Sequence, residues 1–151
     1  MNVPCHRRLT LAGGVLFAVM SAVLAMPTAA QATDDSHKLA MQDFRSFCAS
    51  CHGVKAGGDG PVATVLKVKP SDLTTIAQRN GGTFPAETVY KNIDGLDMTD
   101  AHGTRQMPVW GIWFTYEAIG DSLLTGDKKP TDERVAKRIR GLVAYLETIQ
   151  Q

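Results

Sequence analysis

An all-α domain of short helices joined by long loops is the fold class this sequence predicts, and three observations predict it. Beyond residue 32, apolar residues recur at helical spacing near both ends of the chain. The stretch between, 53–82, is punctuated by Gly-Gly-Asp-Gly-Pro, Lys-Pro and Asn-Gly-Gly, which mark turns and loops. No alternation of apolar and polar residues marks a strand, and there is no internal repeat or low-complexity segment.

The first 32 residues read as a separate unit. Arg7 and Arg8 precede a run from Leu9 to Ala25 that is apolar apart from Thr10, Ser21 and two glycines. Pro27 breaks it, and the small-x-small Ala30-Gln31-Ala32 leads into the polar Thr33-Asp34-Asp35. Basic, apolar, then small residues is the layout of a secretory signal peptide. The expectation is a leader at 1–32, an exported, periplasmic domain at 33–151, and no membrane insertion after cleavage. The alternative is a retained anchor, since the run approaches the ~18 residues that span a bilayer.

Within 33–151 the 15 acidic residues exceed the basic ones by one, because Arg7 and Arg8 leave with the leader. Near-neutrality argues against nucleic acid or an anionic membrane surface as a partner, since both select a basic surplus. Cys5 falls in the leader, so Cys48 and Cys51 are the only cysteines of the domain.

The first helix is expected to be capped by Asp35 or Ser36 and to run through Leu39, Ala40, Phe44 and Phe47 into Cys48. Residues 48–52 read Cys-Ala-Ser-Cys-His, the attachment pattern of c-type haem. Two thiols separated by two residues on a helical turn match the two vinyl groups on one porphyrin edge. The histidine that follows supplies an imidazole to one axial position on the iron. A thioredoxin-type motif would need a strand before it and a βαβ context. A zinc site would need a second ligand pair, and His37 and His102 stand apart from each other.

A second axial ligand is expected from methionine. Met41 precedes Cys48 on the same helix, and Met98 lies in the polar Gly-Leu-Asp-Met-Thr-Asp. Met107 lies in Arg-Gln-Met-Pro-Val-Trp-Gly, where Pro108 forces its predecessor to be extended, so Met107 is the expected ligand and Met98 the alternative. Short helices are expected over Pro85–Ile93 and Thr115–Leu124. The last helix starts at Thr131, with Asp132 and Glu133 favourably placed in its first turn. Its apolar face is Val135, Ile139, Leu142, Val143, Leu146 and Ile149.

With Cys-Ala-Ser-Cys-His-Gly, Gly-Asp-Gly-Pro at 58–61 and Met-Pro-Val-Trp-Gly at 107–111 in that order, residues 37–149 resemble the class I c-type cytochromes, in particular small bacterial monohaem members. The resemblance implies a cytochrome c-like fold around one covalent haem c, bound through Cys48 and Cys51 with His52 and Met107 as iron ligands. It implies that the Pro61 carbonyl accepts the Nδ1–H of His52, and that Ala40 receives Tyr145 where the terminal helices cross. Trp110 and Trp113 are expected against the haem or closing its pocket, Arg105 near a propionate, and Tyr90 in the core or the pocket. The implied activity is one-electron transfer between redox partner proteins, an electron carrier rather than an enzyme. The alternatives are a haem subunit of a larger oxidoreductase complex, or a peroxidase or gas-binding protein with a labile sixth ligand near His102. The segment Phe114–Pro130 is longer than the smallest members need and is expected to offer a partner-specific surface.

Overall fold

The computed structural model describes residues 29–95 and 107–151. Residues 1–28 of the expected 1–32 leader, Met98, His102 and Arg105 therefore lie outside the described residues. The described part is helical and, among these residues, has no strand. None of its helices is long and apolar enough to cross a membrane.

Helix α1 spans Ala29–Asp43 and passes into a π-helical turn at Phe44–Cys48, followed by the short α2 at Ala49–His52. Single-turn 3₁₀ pieces occur at Ala63–Val65 and Leu73–Thr75, the second leading into α3 at Ile76–Arg79. Helices α4 (Ala86–Asp94), α5 (Trp110–Thr125) and α6 (Thr131–Thr148) complete the order. Two sequence expectations shift here. Helix α1 is already formed at Ala29, so Asp35 and Ser36 lie within it rather than at its cap, because helix-forming residues precede those polar ones without a break. Helix α5 begins at Trp110 rather than Thr115, so the helix starts three residues after Met107.

Helix α6 is the centre of the packing. Its stripe of Val135, Ile139, Leu142, Val143 and Leu146 is buried, Ile139 completely, and it packs against α1, α4 and α5. Burying five such side chains contributes on the order of 10 kcal/mol, the largest apolar term visible in the fold. On α1 the buried residues are Ala40 and, in the π turn, Phe44, whereas Leu39 points outward, contrary to expectation. It lies on the opposite face because adjacent helical residues are about 100° apart.

Where α1 crosses α6, a Cβ built on Gly141 would stand 3.7 Å from the Cβ of Ala40, so two small residues bring the helices close. Tyr145 stacks instead beside Phe44 (5.4 Å between ring centroids) and His37 (5.6 Å). Ala40 thus faces Gly141, and Tyr145, one helical turn later, packs between His37 and Phe44, which lie one turn to either side of Ala40.

A polar joint lies at one side of this core. Arg138 of α6 donates two hydrogen bonds to Asp43 at the end of α1 (2.8 and 2.7 Å) and one to Glu117 of α5 (2.6 Å). Its guanidinium also sits 4.1 Å from the ring centre of Phe114 and 5.2 Å from that of Phe47. Burial opposes the positive charge, but the two carboxylates more than offset that, and the Arg138 pKa is raised. Replacing Arg138 with Ala should lower the unfolding free energy by about 2–3 kcal/mol, because two half-buried carboxylates lose their partner. Chemical denaturation measures this, and Lys at 138 should restore only part of the loss.

Candidate functional site

Cys48, Cys51 and His52 lie within nine residues of Asp43 and its joint with Arg138. The π turn adds a residue to the helix ahead of Cys48, which shifts the phase of every side chain after it; such insertions are frequent at functional sites. Both thiols are half-buried and not joined to each other. Burial pushes the Cys48 thiol up to about 12, with the Asp43 carboxylate and Cys51 adding to the shift. Cys48 is therefore an un-ionised thiol at neutral pH. A dithiol redox centre works through a thiol whose pKa is lowered, so this environment runs against a thioredoxin-type role.

The C-terminus of α2 is closed by the loop that follows it. The amides of Gly53, Gly58, Gly60 and Val62 donate to the carbonyls of Ala49, His52, Cys51 and Ser50 at 2.8–3.1 Å. These are the carbonyls that a helix end leaves without a partner. Gly58 has φ +77°, and a Cβ there would overlap the Pro70 carbonyl, so the 58–60 turn and the 70–72 segment are in direct contact.

That contact brings the chain back to His52. Its Nδ1 is 3.0 Å from the carbonyl oxygen of Ser71. A carbonyl can only accept, so Nδ1 carries a proton, and in the neutral ring it is Nε2 that presents the lone pair. This is the state in which an imidazole binds a metal, and the bond fixes the ring and strengthens it as a donor. The acceptor differs from the one implied by the resemblance. The Pro61 carbonyl instead accepts from the Thr64 hydroxyl at 3.3 Å, because the loop turns over the end of α2 and holds Val62 against Ser50. Asp72 stabilises the Ser71 segment by accepting from the Thr74 amide (2.8 Å) and hydroxyl (2.6 Å).

Met107 is half-buried and packs against the core cluster, as do Cys48, Phe47, Leu73, Tyr90 and Trp110. Trp110 meets Phe47 edge-on at 5.7 Å and stacks on Phe114 at 6.0 Å. Tyr90 belongs to the same rim and has Arg140 5.8 Å from its ring centre. The N-terminus of α5 is drawn against α4, since a Cβ on Gly111 would stand 2.8 Å from the Asp94 carbonyl oxygen. The glycine of Met-Pro-Val-Trp-Gly thus permits a close approach that puts Met107 on the core. Trp113, in contrast, is 53% exposed on the outer face of α5 and has no contact with this rim.

These residues fit a haem by their chemistry: two unpaired thiols on one helical stretch, an imidazole with a free Nε2 beside them, and a thioether within the same apolar cluster. The apolar rim is only half covered, and Val62, Val65, Leu66 and Val68 of the adjoining loop are exposed; a flat apolar group would cover such surface. Among the described residues no three His, Cys, Asp or Glu side chains converge as a metal cluster. Comparison with protein-family models, curated proteins and solved structures found no match to this chain.

Sequence reasoning missed Ser71, Arg138 and the capping amides. The only trace of Ser71 was Pro70-Ser71-Asp72, a turn pattern whose partner is distant in sequence. Gly58→Ala should destabilise the protein by about 2 kcal/mol through its left-handed φ and the displaced Pro70–Ser71 segment, and should speed exchange of the His52 Nδ1 proton measured by NMR. A second expectation concerns pH. The Thr74 hydrogen bonds hold the Asp72 carboxyl below its ordinary 3.8. The stability it adds is therefore present above pH 3.8 and is lost as pH falls through the lower folded-state value. Acid unfolding curves of wild type and Asp72→Ala should be separated at pH 5 and should converge as the pH falls below 3.8.

Proposed function

We propose that this chain is an exported monohaem c-type cytochrome that passes single electrons between protein redox partners. In this proposal Cys48 and Cys51 hold haem c through thioethers, and His52 and Met107 are its iron ligands. The observation that carries the proposal is the Cys48–Cys51–His52 turn with Nδ1 of His52 tied to Ser71, which leaves Nε2 as the ring nitrogen available to a metal beside two unpaired thiols. Haem supplies, when bound, a one-electron ferric–ferrous couple.

The chain's own residues set the conditions for that couple. The Met107 thioether, a soft ligand, favours the ferrous state and raises the potential. The Ser71 carbonyl makes His52 a stronger donor and stops its ring from rotating. Phe47 and Trp110, in edge contact with each other, and Tyr90 on the same core would lie against the bound ring and help keep water from it. With His52 and Met107 both holding the iron, no position would be left for a substrate, and the function would be that of a carrier. Encounters with redox partners are brief and small in area. The leader at 1–32 delivers the chain to the periplasm, where haem is attached.

The test is the absorption spectrum of the chain matured by a haem-attachment system. Wild type should give a sharp low-spin reduced spectrum and, when oxidised, the weak far-red band of an iron–methionine bond. Cys51→Ala and His52→Ala should lose stable haem. Met107→Ala should keep it, lower the potential by on the order of 0.1 V within the range that axial ligands command, and admit carbon monoxide. A wild-type spectrum that is high-spin and shifts with cyanide would overturn the carrier assignment.

A further inference from the structure

Helix α5 is apolar on two opposite sides. Gly111, Phe114 and Ala118 are buried against the rest of the fold. Around the other side, Ile112, Trp113, Tyr116, Ile119, Leu123 and Leu124 are all exposed, Tyr116 at 70% and Leu124 at 88%. At about 100° per residue these six positions and Gly120 occupy a continuous band roughly 140° wide. A surface helix in a finished fold carries one apolar stripe.

No charge interrupts this band. The only ionisable carboxylates of α5 are Glu117 and Asp121. Glu117 is bound by Arg138 at 2.6 Å and Asp121 is paired with Arg134 at 3.4 Å, so both are turned toward α6. The band offers nothing to a charged partner and matches one that is equally apolar.

The spacing defines that partner further. Ile112, Tyr116, Ile119 and Leu123 follow one another at intervals of four, three and four, the seam spacing with which one helix packs along another. These intervals read the same in both directions. When two copies of α5 run antiparallel about a two-fold axis, Ile112 of each meets Leu123 of the other, and Tyr116 of each meets Ile119 of the other. A two-fold interface requires this reciprocity. Gly120, at the edge of the seam, has nothing within 4 Å of where its Cβ would be, which leaves room for a neighbouring backbone. Six large side chains at this exposure present on the order of 800 Å² per copy, about what each partner contributes to a stable interface.

We infer that the outer face of α5 is the interface of a two-fold symmetric dimer, its occupant the α5 of a second copy of this chain. The inference does not depend on the haem assignment, because none of the seam residues belongs to the site around His52.

Sedimentation velocity on the full haem-matured protein tests it. Wild type should sediment at twice the mass of the chain at tens of micromolar and shift toward monomer on dilution. Tyr116→Glu should be monomeric with an unchanged circular dichroism spectrum. Should Tyr116→Glu fail to fold, Leu123→Glu, at a position 82% exposed, decides in its place. Leu39→Glu, an equally exposed apolar position on α1, should remain dimeric. A wild type that stays monomeric up to roughly 100 μM, where a stable interface of standard size is formed, overturns the inference; the band is then covered by a different protein. A dimer that survives both seam substitutions overturns it equally.

Discussion

The arrangement turns on one half-buried charge. A guanidinium placed between α1, α5 and α6 is costly unless each of its donors is satisfied, and Arg138 is satisfied only when Asp43, Glu117 and the faces of Phe47 and Phe114 converge on it. Those partners belong to segments far apart in sequence. Asp43 is the last residue before the π turn that leads to Cys48, and Glu117 lies on the helix that starts just after Met107. A single fork of hydrogen bonds thus ties the approach to the cysteine pair to the helix that carries the methionine loop. The apolar stripe of α6 provides most of the cohesion, but such packing tolerates sliding, whereas a bidentate ion pair selects one register.

Around the cysteine pair the backbone, more than the side chains, shapes the site. The end of α2 would leave carbonyls without donors, and the 53–62 loop closes it with four amides. That closure decides where the chain can go next, and the contact between Gly58 and Pro70 carries it back over His52. Ala56 adds to the cost of this loop, since it is buried with a left-handed φ of 62°. Strain of this kind persists where surrounding contacts over-determine the backbone, and here it lies four residues beyond His52. The rigidity that results holds one imidazole nitrogen protonated and the other free, the property on which the proposed electron-carrier function rests.

The two faces of α5 divide its work. Its inner face closes the rim beside Met107, while its outer face is an uncharged seam with palindromic spacing. The proposed dimer would thus be built on the helix that follows Met107, the proposed sulfur ligand.

Periodicity and punctuation determined much on their own. The buried stripe of α6, the helix after Pro85, the start at Thr131 and the helical character of the whole were legible, because each follows from side chains spaced along a single element. The Cys48–Cys51–His52 group was legible for the same reason, its members being neighbours in the chain. Contacts across long sequence separations were decided by tertiary structure alone. Ser71 rather than Pro61 receives the proton of His52, Gly141 faces Ala40, and Arg138 finds Asp43. Leu39 and Trp113, apolar in sequence, point outward. A backbone carbonyl has no residue-specific signature, and hydrophobicity reports that a side chain avoids water without naming what covers it; only the path of the folded chain settles which groups meet.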